Sequence, residues 1–357
     1  MTGKEKALAI IAEDVERLVS RMPKLLRKLE GKRLMLTGAS GLVPSYFLDT
    51  IAYLNRHVFK KKTRVLAYIH KPLPTAHRLA YLKNEPWLVW RVSDLNKPFK
   101  IEGAYDFIIH AASTASPKDY IKKPLETLDV NVAATRIILE HLRKRPGAKL
   151  LFFSSGEIYG IPEPAKKAFK ESDIGRVNHL ALRACYSEGK RFGETLCLIY
   201  ARRYNVHVKI ARLFHTFGPG IKKEDSRVWS ALIFRALEGR DLKLMDARTR
   251  RCFCYVTDAI AELWHVLLAA PSGEVYNIGT DRESSIGEFA RLVKKYSGRP
   301  VIIKDTGVRT GAWEKSASRV RPDITKIVTA SGLKPLRNLK ESIDRTMRWC
   351  RYFYLEK

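Results

Sequence analysis

The sequence has 357 residues, enough for one large domain or two smaller ones, and its 45% hydrophobic and 29% charged content is ordinary for a globular protein. It has no run of roughly 18 apolar residues and no signal-peptide pattern at its start, so we expect a cytoplasmic protein without a membrane span. The formal net charge of +29 suits a polyanionic partner, an anionic small substrate or a solvated basic surface. We favour the solvated surface, and the charge alone excludes none of the three.

The cysteines are too irregularly placed for a metal site or a disulfide framework. Cys252 and Cys254 are separated by a single residue, which is not a zinc-binding spacing, and the total of five is odd. We therefore expect no metal, and reduced thiols such as a cytosol maintains. The five are Cys185, Cys197, Cys252, Cys254 and Cys350.

A helical pattern precedes the main fold. Apolar residues recur at helical spacing between residues 4 and 30, and Pro23 is expected to break the helix. Because acidic and basic residues are mixed along it, we expect region 1–30 to be an amphipathic arm for packing or dimerisation, not a membrane anchor. The apolar positions are Leu8, Ile11, Val15, Leu18, Val19 and Met22.

From Arg33 onward, apolar runs alternate with helical patterns. Strands rich in Val, Ile, Leu and Phe, separated by helices, predict an α/β fold with a doubly wound parallel sheet of the Rossmann type. We assign 31–205 to a dinucleotide-binding domain and 206–357 to a smaller α/β substrate-binding region interleaved with it. The predicted strands are 33–37, 64–70, 88–94, 105–113 and 149–160; the predicted helices are one ending at Leu54 and those over 124–144, 182–204, 228–238 and 338–351.

The turn after the first predicted strand has the spacing of a nucleotide-binding loop. In Gly38-x-x-Gly41-x-x-Pro44, the two glycines let the backbone approach a pyrophosphate at a helix N-terminus. Pro44 stands where a third glycine would allow the helix to pack closely on its strand. The second strand ends in His70 and Lys71 instead of the acid that binds an adenosine ribose. The site therefore suits NAD held by other contacts, or NADP, whose 2′-phosphate a basic end would meet.

A second pattern is more informative. Tyr186 and Lys190 lie four residues apart, hence on one face of a helix. Because a nearby ammonium favours the phenolate, we expect the pKa of Tyr186 to be lowered toward the range of general acid–base catalysis. A lone Tyr-x-x-x-Lys occurs often by chance, but this one follows a glycine-rich turn and a strand that ends in SSGEIYG.

With these three elements the sequence resembles the extended short-chain dehydrogenase/reductase family of NAD-dependent nucleotide-sugar epimerases and dehydratases, from about Lys32 to Arg351. Its more specific motifs are similar to those of the UDP-glucuronate decarboxylase branch, and sugar dehydratases and 4-epimerases share the same scaffold. These motifs are Ala115-Ser116-Pro117-x-x-Tyr120, the run from Arg183 to Arg191, Arg227-Val228, Arg251-x-Phe253-x-Tyr255-Val256-x-Asp258 and Arg321-Pro322-Asp323-Ile324.

The resemblance implies a reaction through a 4-keto sugar in which NAD is recycled. Tyr186 would remove the proton of the sugar 4-hydroxyl while hydride passes from C4 to the nicotinamide, and Lys190 would hold the nicotinamide ribose. Ser155 would hydrogen-bond the same oxygen, which carries the charge when a C5 carboxylate leaves as carbon dioxide. Glu157 matches a glutamate found in both decarboxylases and 4,6-dehydratases.

The resemblance also implies the binding residues and a homodimer, formed through the helices over 124–144 and 182–204. Asp94 would face the adenine, Arg227 the nucleotide diphosphate, and Arg251 the sugar or diphosphate of a substrate expected to be UDP-linked. The implied cofactor-binding residues are Gly38, Ser40, Gly41, Leu42, His70, Asp94, Ala111, Ala112, Tyr186 and Lys190, and the implied substrate-binding residues are Ser116, Tyr120, Glu157, Arg227, Arg251 and His215.

Two departures from the family leave the reaction open. Gly156 stands where decarboxylases carry a small hydroxyl residue and 4,6-dehydratases an aspartic acid that protonates the leaving hydroxyl. It therefore argues against dehydration more strongly than against decarboxylation. His215 replaces a common asparagine near the substrate phosphates. A 4-epimerase or an atypical dehydratase is the alternative within the family.

An alternative from another class is a polyanion-binding protein on a degraded dehydrogenase fold. Pro44, His70 and the net charge of +29 favour it. The complete set of Ser155, Tyr186 and Lys190 argues against it, and against a nucleic-acid partner, because a protein that only binds has no chemical need of those groups.

Overall fold

Within residues 1–162, 168–307 and 321–356, which the computed structural model describes, seven parallel strands form a central sheet. Its order is β11-β6-β5-β4-β1-β2-β3, so the connections reverse direction between β1 and β4. In such sheets ligands bind outside the carboxyl ends of the strands at this reversal. In chain order the strands are β1 (Arg33–Thr37), β2 (Arg64–Ile69), β3 (Leu88–Val92), β4 (Phe107–His110), β5 (Lys149–Ser155), β6 (His207–Leu213), β7 (Thr216–Phe217), β8 (Leu242–Leu244), β9 (Arg250–Cys252), β10 (Cys254–Tyr255), β11 (Glu274–Ile278), β12 (Glu283–Ser285) and β13 (Ile303–Asp305).

The short strands form three small two-stranded sheets beside the central one. β7 pairs with β10 and β8 with β13 in parallel, and β9 pairs with β12 in antiparallel. The strands of these pairs follow β6 in the chain and lie within residues 206–357, the predicted substrate-binding region. They place the start of the segment after residue 213 next to the carboxyl ends of the central strands.

Helices cover both faces of the central sheet. Among the described residues, none of them is long and apolar enough to cross a membrane. They are α1 (Gly3–Arg21), α2 (Pro23–Leu26), α3 (Leu42–His57), α4 (Pro117–Lys122), α5 (Pro124–Arg143), α6 (Ala184–Tyr204), α7 (Val228–Leu237), α8 (Val256–Ala269), α9 (Ile286–Ser297), α10 (Thr325–Ser331) and α11 (Leu339–Tyr354), with short 3₁₀ turns over Arg27–Leu29, Ala80–Leu82 and Gly156–Tyr159.

Alternate residues of the buried strands supply two hydrophobic cores, one on each face of the sheet. In β1, Leu34 and Leu36 face a core shared with α1, α3 and α8, whereas Met35 faces a core shared with α5 and α6. β5 repeats the alternation with Leu151 on the first side and Leu150 on the second. This two-sided burial is the reason that the strands read as continuous apolar runs. The doubly wound α/β fold predicted from the sequence is confirmed.

The N-terminal helix packs against α3, α8 and α11 of the same chain, and the helix breaks at Met22 before Pro23 as predicted. Its buried Asp14 accepts hydrogen bonds from Arg337 at 2.8 Å, from Arg345 at 2.7 Å and from the Tyr255 hydroxyl at 2.5 Å. We call these four residues the Asp14 cluster. It joins the start of the chain to the last helix and to β10.

The ends of several strands differ from the prediction. The third strand stops at Val92, so Asp94 lies in the loop beyond it, and the fourth stops at His110. The fifth ends at Ser155, after which the chain turns into the 3₁₀ helix Gly156–Tyr159 instead of continuing as a strand. β11 belongs to the central sheet although it follows residue 205; the proposed division into 1–30, 31–205 and 206–357 stays a prediction.

Candidate active site

The loop after β1 is shaped by close backbone contacts. Gly38 has φ +69°, and a Cβ on it would lie 2.8 Å from the Cα of Ala112 and 2.9 Å from the carbonyl oxygen of Ala111. The Thr37 hydroxyl accepts hydrogen bonds from the amides of both alanines at 3.1 Å. The loops after β1 and β4 are thus locked together with no room for a side chain. This cradle fits a dinucleotide whose pyrophosphate approaches bare backbone.

The helix that begins after this loop accommodates Pro44. Gly41, which follows Ser40, is the N-cap of α3 and Leu42 its first residue, so Pro44 is the third. An amide at this position has no partner within the helix, so the proline ring removes no helical hydrogen bond. The ring lies beside Gly41: a Cβ there would be 3.0 Å from the Pro44 Cγ.

At the far end of the predicted cofactor site, His70 and Asp94 follow β2 and β3. The His70 Nδ1 lies 3.8 Å from an oxygen of Asp94, and both side chains are partly exposed. Asp94 also accepts from the side-chain amide of Asn96 at 2.9 Å. The structure therefore puts an acid beside the histidine that replaces the expected one.

Tyr186, Ser155 and Lys190 meet at the carboxyl end of β5. All three side chains are buried, and the Tyr186 hydroxyl is hydrogen-bonded to Ser155. The Lys190 ammonium donates to the carbonyl oxygen of Phe153 at 2.6 Å and lies 5.9 Å from the centre of the Tyr186 ring. The sequence prediction that these three side chains come together at this edge is consistent with the geometry.

The predicted lowering of the pKa of Tyr186 by Lys190 is wrong for this structure. Burial raises the pKa of Tyr186 to about 12, and the hydrogen bond to Ser155 opposes the rise only in part. Burial also lowers the pKa of Lys190 to about 7, although Glu194 raises it somewhat. The reason is that both groups lie in a low-dielectric interior, where desolvation of the charged form is the largest effect on each pKa.

Beside Tyr186, two further polar residues surround an arginine that the sequence analysis did not assign. The Arg183 guanidinium donates to Glu157 at 3.0 Å and to the Tyr120 hydroxyl at 3.2 Å. The Tyr120 ring stacks on the Tyr186 ring, with centroids 5.1 Å apart and planes at 8°. We call Tyr120, Glu157, Arg183 and Tyr186 the Glu157 cluster. Arg183 lies three residues before Tyr186, and this helical spacing was the available signal.

Gly156 has a neighbour that explains why it carries no side chain. A Cβ there would lie 2.8 to 2.9 Å from the ring of Phe214, which fills the space next to Ser155 and Glu157. Phe214 was not among the predicted site residues. Its packing makes Gly156 a steric requirement of this chain, so the position offers no hydroxyl or carboxyl group to a ligand.

The other predicted substrate residues lie around the loop between β6 and β7. Burial lowers the pKa of His215 to about 3, and the charges of Arg251 and Arg227 lower it further, so both cations are near the ring. Among the described residues, the His215 Nδ1 has no hydrogen-bond partner. Arg227 is held by Asp225, with its Nε 2.9 Å from each carboxylate oxygen, and stacks on the Trp229 ring at 4.8 Å. Two arginines and a neutral imidazole form a surface suited to a diphosphate.

Arg227 connects this surface to Tyr186, because its charge also acts on the Tyr186 hydroxyl. The Ser116 hydroxyl lies 2.8 Å from that of Ser226, the residue before Arg227. The predicted substrate residues thus form two groups, one around Tyr186 and one around His215, with Arg227 between them.

Comparisons with known proteins identify the same scaffold. The family described as "NAD dependent epimerase/dehydratase family" matches residues 34–279 of this chain. "UDP-glucuronic acid decarboxylase 1" of Xenopus tropicalis is 33% identical over 97% of this chain and 80% of its own. "UDP-glucuronic acid decarboxylase 5" of Arabidopsis thaliana is 32% identical over 87% of each chain.

Two solved structures share the fold at low sequence identity. A dTDP-glucose 4,6-dehydratase of Bacillus anthracis in complex with NAD has a TM-score of 0.72 at 20% identity, over 90% of this chain and 96% of that one. A UDP-glucuronic acid 4-epimerase of Bacillus cereus, in complex with UDP-glucuronic acid and NAD, has a TM-score of 0.75 at 21% identity, over 90% of this chain and 100% of that one. Family match, relatives and fold agree with the loop and the Tyr186 site: the chain belongs to the NAD dependent epimerase/dehydratase family.

Proposed function

We propose that this protein is an NAD-dependent enzyme that converts UDP-glucuronate into UDP-xylose and carbon dioxide through a 4-keto intermediate. The observation that carries the proposal is the buried Tyr186 hydroxyl, hydrogen-bonded to Ser155 and flanked by Glu157, at the same edge of the parallel sheet as the glycine cradle. The relatives named UDP-glucuronic acid decarboxylase support the substrate.

The chain's own groups account for the chemistry at the sugar C4 oxygen. Bound NAD supplies the reversible oxidation at C4, and its cationic ring favours the phenolate of Tyr186. Tyr186 takes the proton of the 4-hydroxyl. When the C5–C6 bond breaks, its electron pair moves onto the 4-oxygen, and Tyr186 and Ser155 stabilise that charge as hydrogen-bond donors. Water supplies the proton that adds at C5 and restores the 4-ketone, and Tyr186 returns its proton to the 4-oxygen as C4 is reduced. Carbon dioxide needs no acid to leave.

The cradle supports NAD as the cofactor, held by Gly38, Ser40, Gly41, Leu42, Ala111 and Ala112 around the pyrophosphate, with Asp94 and His70 at the adenosine and Lys190 at the nicotinamide ribose. Arg227, Arg251 and His215 bind the diphosphate of the substrate, and Ser116 and Tyr120 line the sugar side. NADP is the alternative cofactor, because His70 and Lys71 follow β2. Thermal stabilisation by NAD compared with NADP distinguishes the two.

The reaction is tested by incubating purified protein with NAD and UDP-glucuronate and following both carbon dioxide and the nucleotide-sugar products by NMR. We expect equal amounts of carbon dioxide and UDP-xylose. An epimerised uronic acid without carbon dioxide would instead establish the 4-epimerase alternative. Release of neither product, together with a salt-sensitive shift of random oligonucleotides and no stabilisation by NAD, would establish the polyanion-binding alternative.

We also propose a homodimer that forms through α5 and α6. These helices pack on each other, and a cavity of about 520 Å³ opens on their outer surface between Leu128, Val132 and Phe192. Phe192 is exposed there, as are Leu125 and Ile199 on the same two helices. Apolar groups of this kind are what a symmetry mate covers. Light scattering at micromolar concentration tests the proposal, with Phe192→Glu expected to give a monomer.

A cytoplasmic location is proposed from the thiols. All five cysteines are free in the structure, and four of them are buried. Free thiols persist in reducing compartments. Fractionation of native cells, with the protein detected by antibody, tests this location.

A further inference from the structure

Arg183 occupies a position that the proposed reaction does not yet use. It precedes α6 and lies three residues before Tyr186, so its guanidinium sits at the same end of the helix as the reacting hydroxyl. Only 19% of the side chain is exposed. Burial lowers the pKa of Arg183, but Glu157 and Tyr120 outweigh this effect and raise it, so the group is a permanent cation.

A uronic acid substrate brings an electrostatic problem to this site. Its carboxylate is attached to C5, next to C4. In the proposed reaction Tyr186 and Ser155 hydrogen-bond the oxygen on C4. The negative charge of Glu157 already acts on Tyr186 and raises its pKa. A second carboxylate in the same place is repelled by Glu157 unless a cation lies between them.

Position 156 cannot offset the repulsion. Gly156 has no side chain to donate a hydrogen bond, and the ring of Phe214 fills the space where a Cβ would be. The backbone on this side of the site therefore presents Glu157 without a neighbouring hydroxyl donor at position 156. The repulsion between Glu157 and the substrate carboxylate must therefore be offset by a cation that contacts Glu157 or takes the place of its carboxylate.

Two arginines act on this region, and their ion pairs differ. Arg227 is bound through two nitrogens to Asp225, whose side chain is only 11% exposed and cannot easily give way. Arg183 is paired with Glu157, whose side chain is 41% exposed. Glu157 can therefore shift while Arg183 stays fixed by Tyr120, and the planar guanidinium can accept a carboxylate in the bidentate manner that arginine favours.

We propose that Arg183 binds the C5 carboxylate of the sugar and thereby selects uronic acids over neutral nucleotide sugars. This inference rests on the proposed function, which puts that carboxylate next to C4. Glu157 is the partner that holds Arg183 in place in the absence of substrate. Tyr120, stacked on Tyr186, fixes the distance between the carboxylate-binding cation and the reacting hydroxyl.

The test is calorimetric binding to the full chain in the presence of NADH, which accepts no hydride from C4 and so prevents turnover, with UDP-glucuronate, UDP-glucose and UDP as three ligands. For Arg183→Gln we expect the affinity for UDP-glucuronate to fall about 10- to 100-fold, because a charge-assisted contact is lost, and the affinities for UDP-glucose and UDP to stay within about twofold. Arg191→Gln is the matched control. It removes an arginine of the same helix that pairs with Glu188 at 3.6 Å, and we expect it to change none of the three affinities.

Glu157→Gln gives the opposite expectation, a tighter complex with UDP-glucuronate alone, because it removes the competing carboxylate. If Arg183→Gln does not fold, as judged by its melting curve, Arg183→Lys keeps the charge and loses the fork; it should weaken UDP-glucuronate selectively but less. Equal losses for all three ligands, or no loss for UDP-glucuronate, would overturn the inference. Failure of the proposed function is distinguishable, because the unmodified protein then releases no carbon dioxide from UDP-glucuronate with NAD, whatever the affinities of the variants.

Discussion

The Asp14 cluster and the Glu157 cluster are built from the same kinds of residue but differ in how far their carboxylates are exposed. Both contain a carboxylate, an arginine partner and a tyrosine hydroxyl. The Asp14 side chain is fully buried and accepts from three donors, which lie on β10, on α11 and in the segment just before α11. Glu157 has Arg183 as its arginine partner and stays 41% exposed beside Tyr186. The comparison shows that exposure, more than residue type, separates the two clusters.

The difference has a physical cause. A carboxylate that is entirely removed from water is tolerated only when several donors satisfy it at once, and the resulting arrangement cannot open without a large penalty. A half-exposed pair keeps part of its hydration and is exchangeable. The Asp14 cluster therefore holds elements together, whereas the Glu157 cluster can rearrange around a ligand.

The largest effect is expected at the Glu157 cluster. Tyr186→Phe removes the hydroxyl and keeps the ring stacked on Tyr120, so the rate of carbon dioxide release should fall about 10²- to 10⁴-fold while the melting temperature changes little. Initial rates with UDP-glucuronate and a melting curve measure both. Tyr53→Phe, which removes a hydroxyl that bonds Glu16 at 3.4 Å away from the site, is the control and should keep full activity. A Tyr186→Phe rate above a tenth of normal would remove Tyr186 from its proposed role.

The Asp14 cluster should show the reverse pattern, a loss of stability without a loss of activity. Asp14→Asn removes the buried carboxylate that Arg337 and Arg345 share, and we expect the free energy of unfolding to drop by about 3–5 kcal/mol with the rate per folded molecule unchanged. Urea denaturation measures the loss. Glu13→Gln is a matched control, because Glu13 also pairs with Arg345 at 2.8 Å but is 65% exposed, and it should cost about 1 kcal/mol or less. Equal losses for the two variants would contradict the distinction between the clusters.

The sequence was sufficient for the parts that depend on local pattern. The apolar run of β1, the glycine spacing after it and the four-residue separation of Tyr186 and Lys190 all lie within short windows, and each predicted its element. The Asp14 cluster was not predictable, because its partners lie 241, 323 and 331 residues away along the chain. Asp14 interrupts an apolar face, which marks it as unusual without naming a partner.

The errors near the site have the same origin. Helical spacing placed Lys190 on the same face as Tyr186 and suggested a lowered pKa, but the direction depends on how deeply both groups are buried. Burial is a tertiary property that a single motif does not contain. Arg183 was overlooked because its partner Glu157 belongs to a different element, and Phe214 because a packing contact with Gly156 leaves no spacing signal.

Lys190 combines features of the two clusters: it is buried like Asp14 and lies beside Tyr186 like Glu157. The pH dependence of stability shows which of the two it resembles. Its pKa in the folded protein is about 7, below its usual 10.5, so between these values the unfolded chain binds more protons at Lys190 than the folded one. The stability of the protein relative to Lys190→Met should therefore rise with pH in this window, by up to about 1.4 kcal/mol per unit.

Urea titrations of nucleotide-free protein from pH 7 to about 9.5 measure this difference, and groups common to both proteins cancel. Lys340→Met, at an exposed position of α11, is the control and should give a difference that does not change with pH. A flat or falling difference for Lys190→Met would mean that Lys190 remains protonated in the folded protein. It would then resemble the compensated charges of the Asp14 cluster.

The smallest effect is expected at Pro44, which tests whether the two regions are coupled through α3. The N-terminus of this helix adjoins the glycine cradle. Tyr46 lies one turn further along the helix, and burial and the charge of Asp14 both raise its pKa. Pro44→Gly restores the third glycine and leaves the backbone of Gly38 and Gly41 in place. We expect a loss of about 0.5–1 kcal/mol in unfolding free energy, because the unfolded chain gains freedom, and an NAD affinity within about threefold of normal. Urea denaturation and calorimetric titration with NAD measure the two. A tenfold gain in NAD affinity would show instead that the Pro44 ring restricts the cradle, and that cofactor binding is tuned by the packing of α3 on its strand.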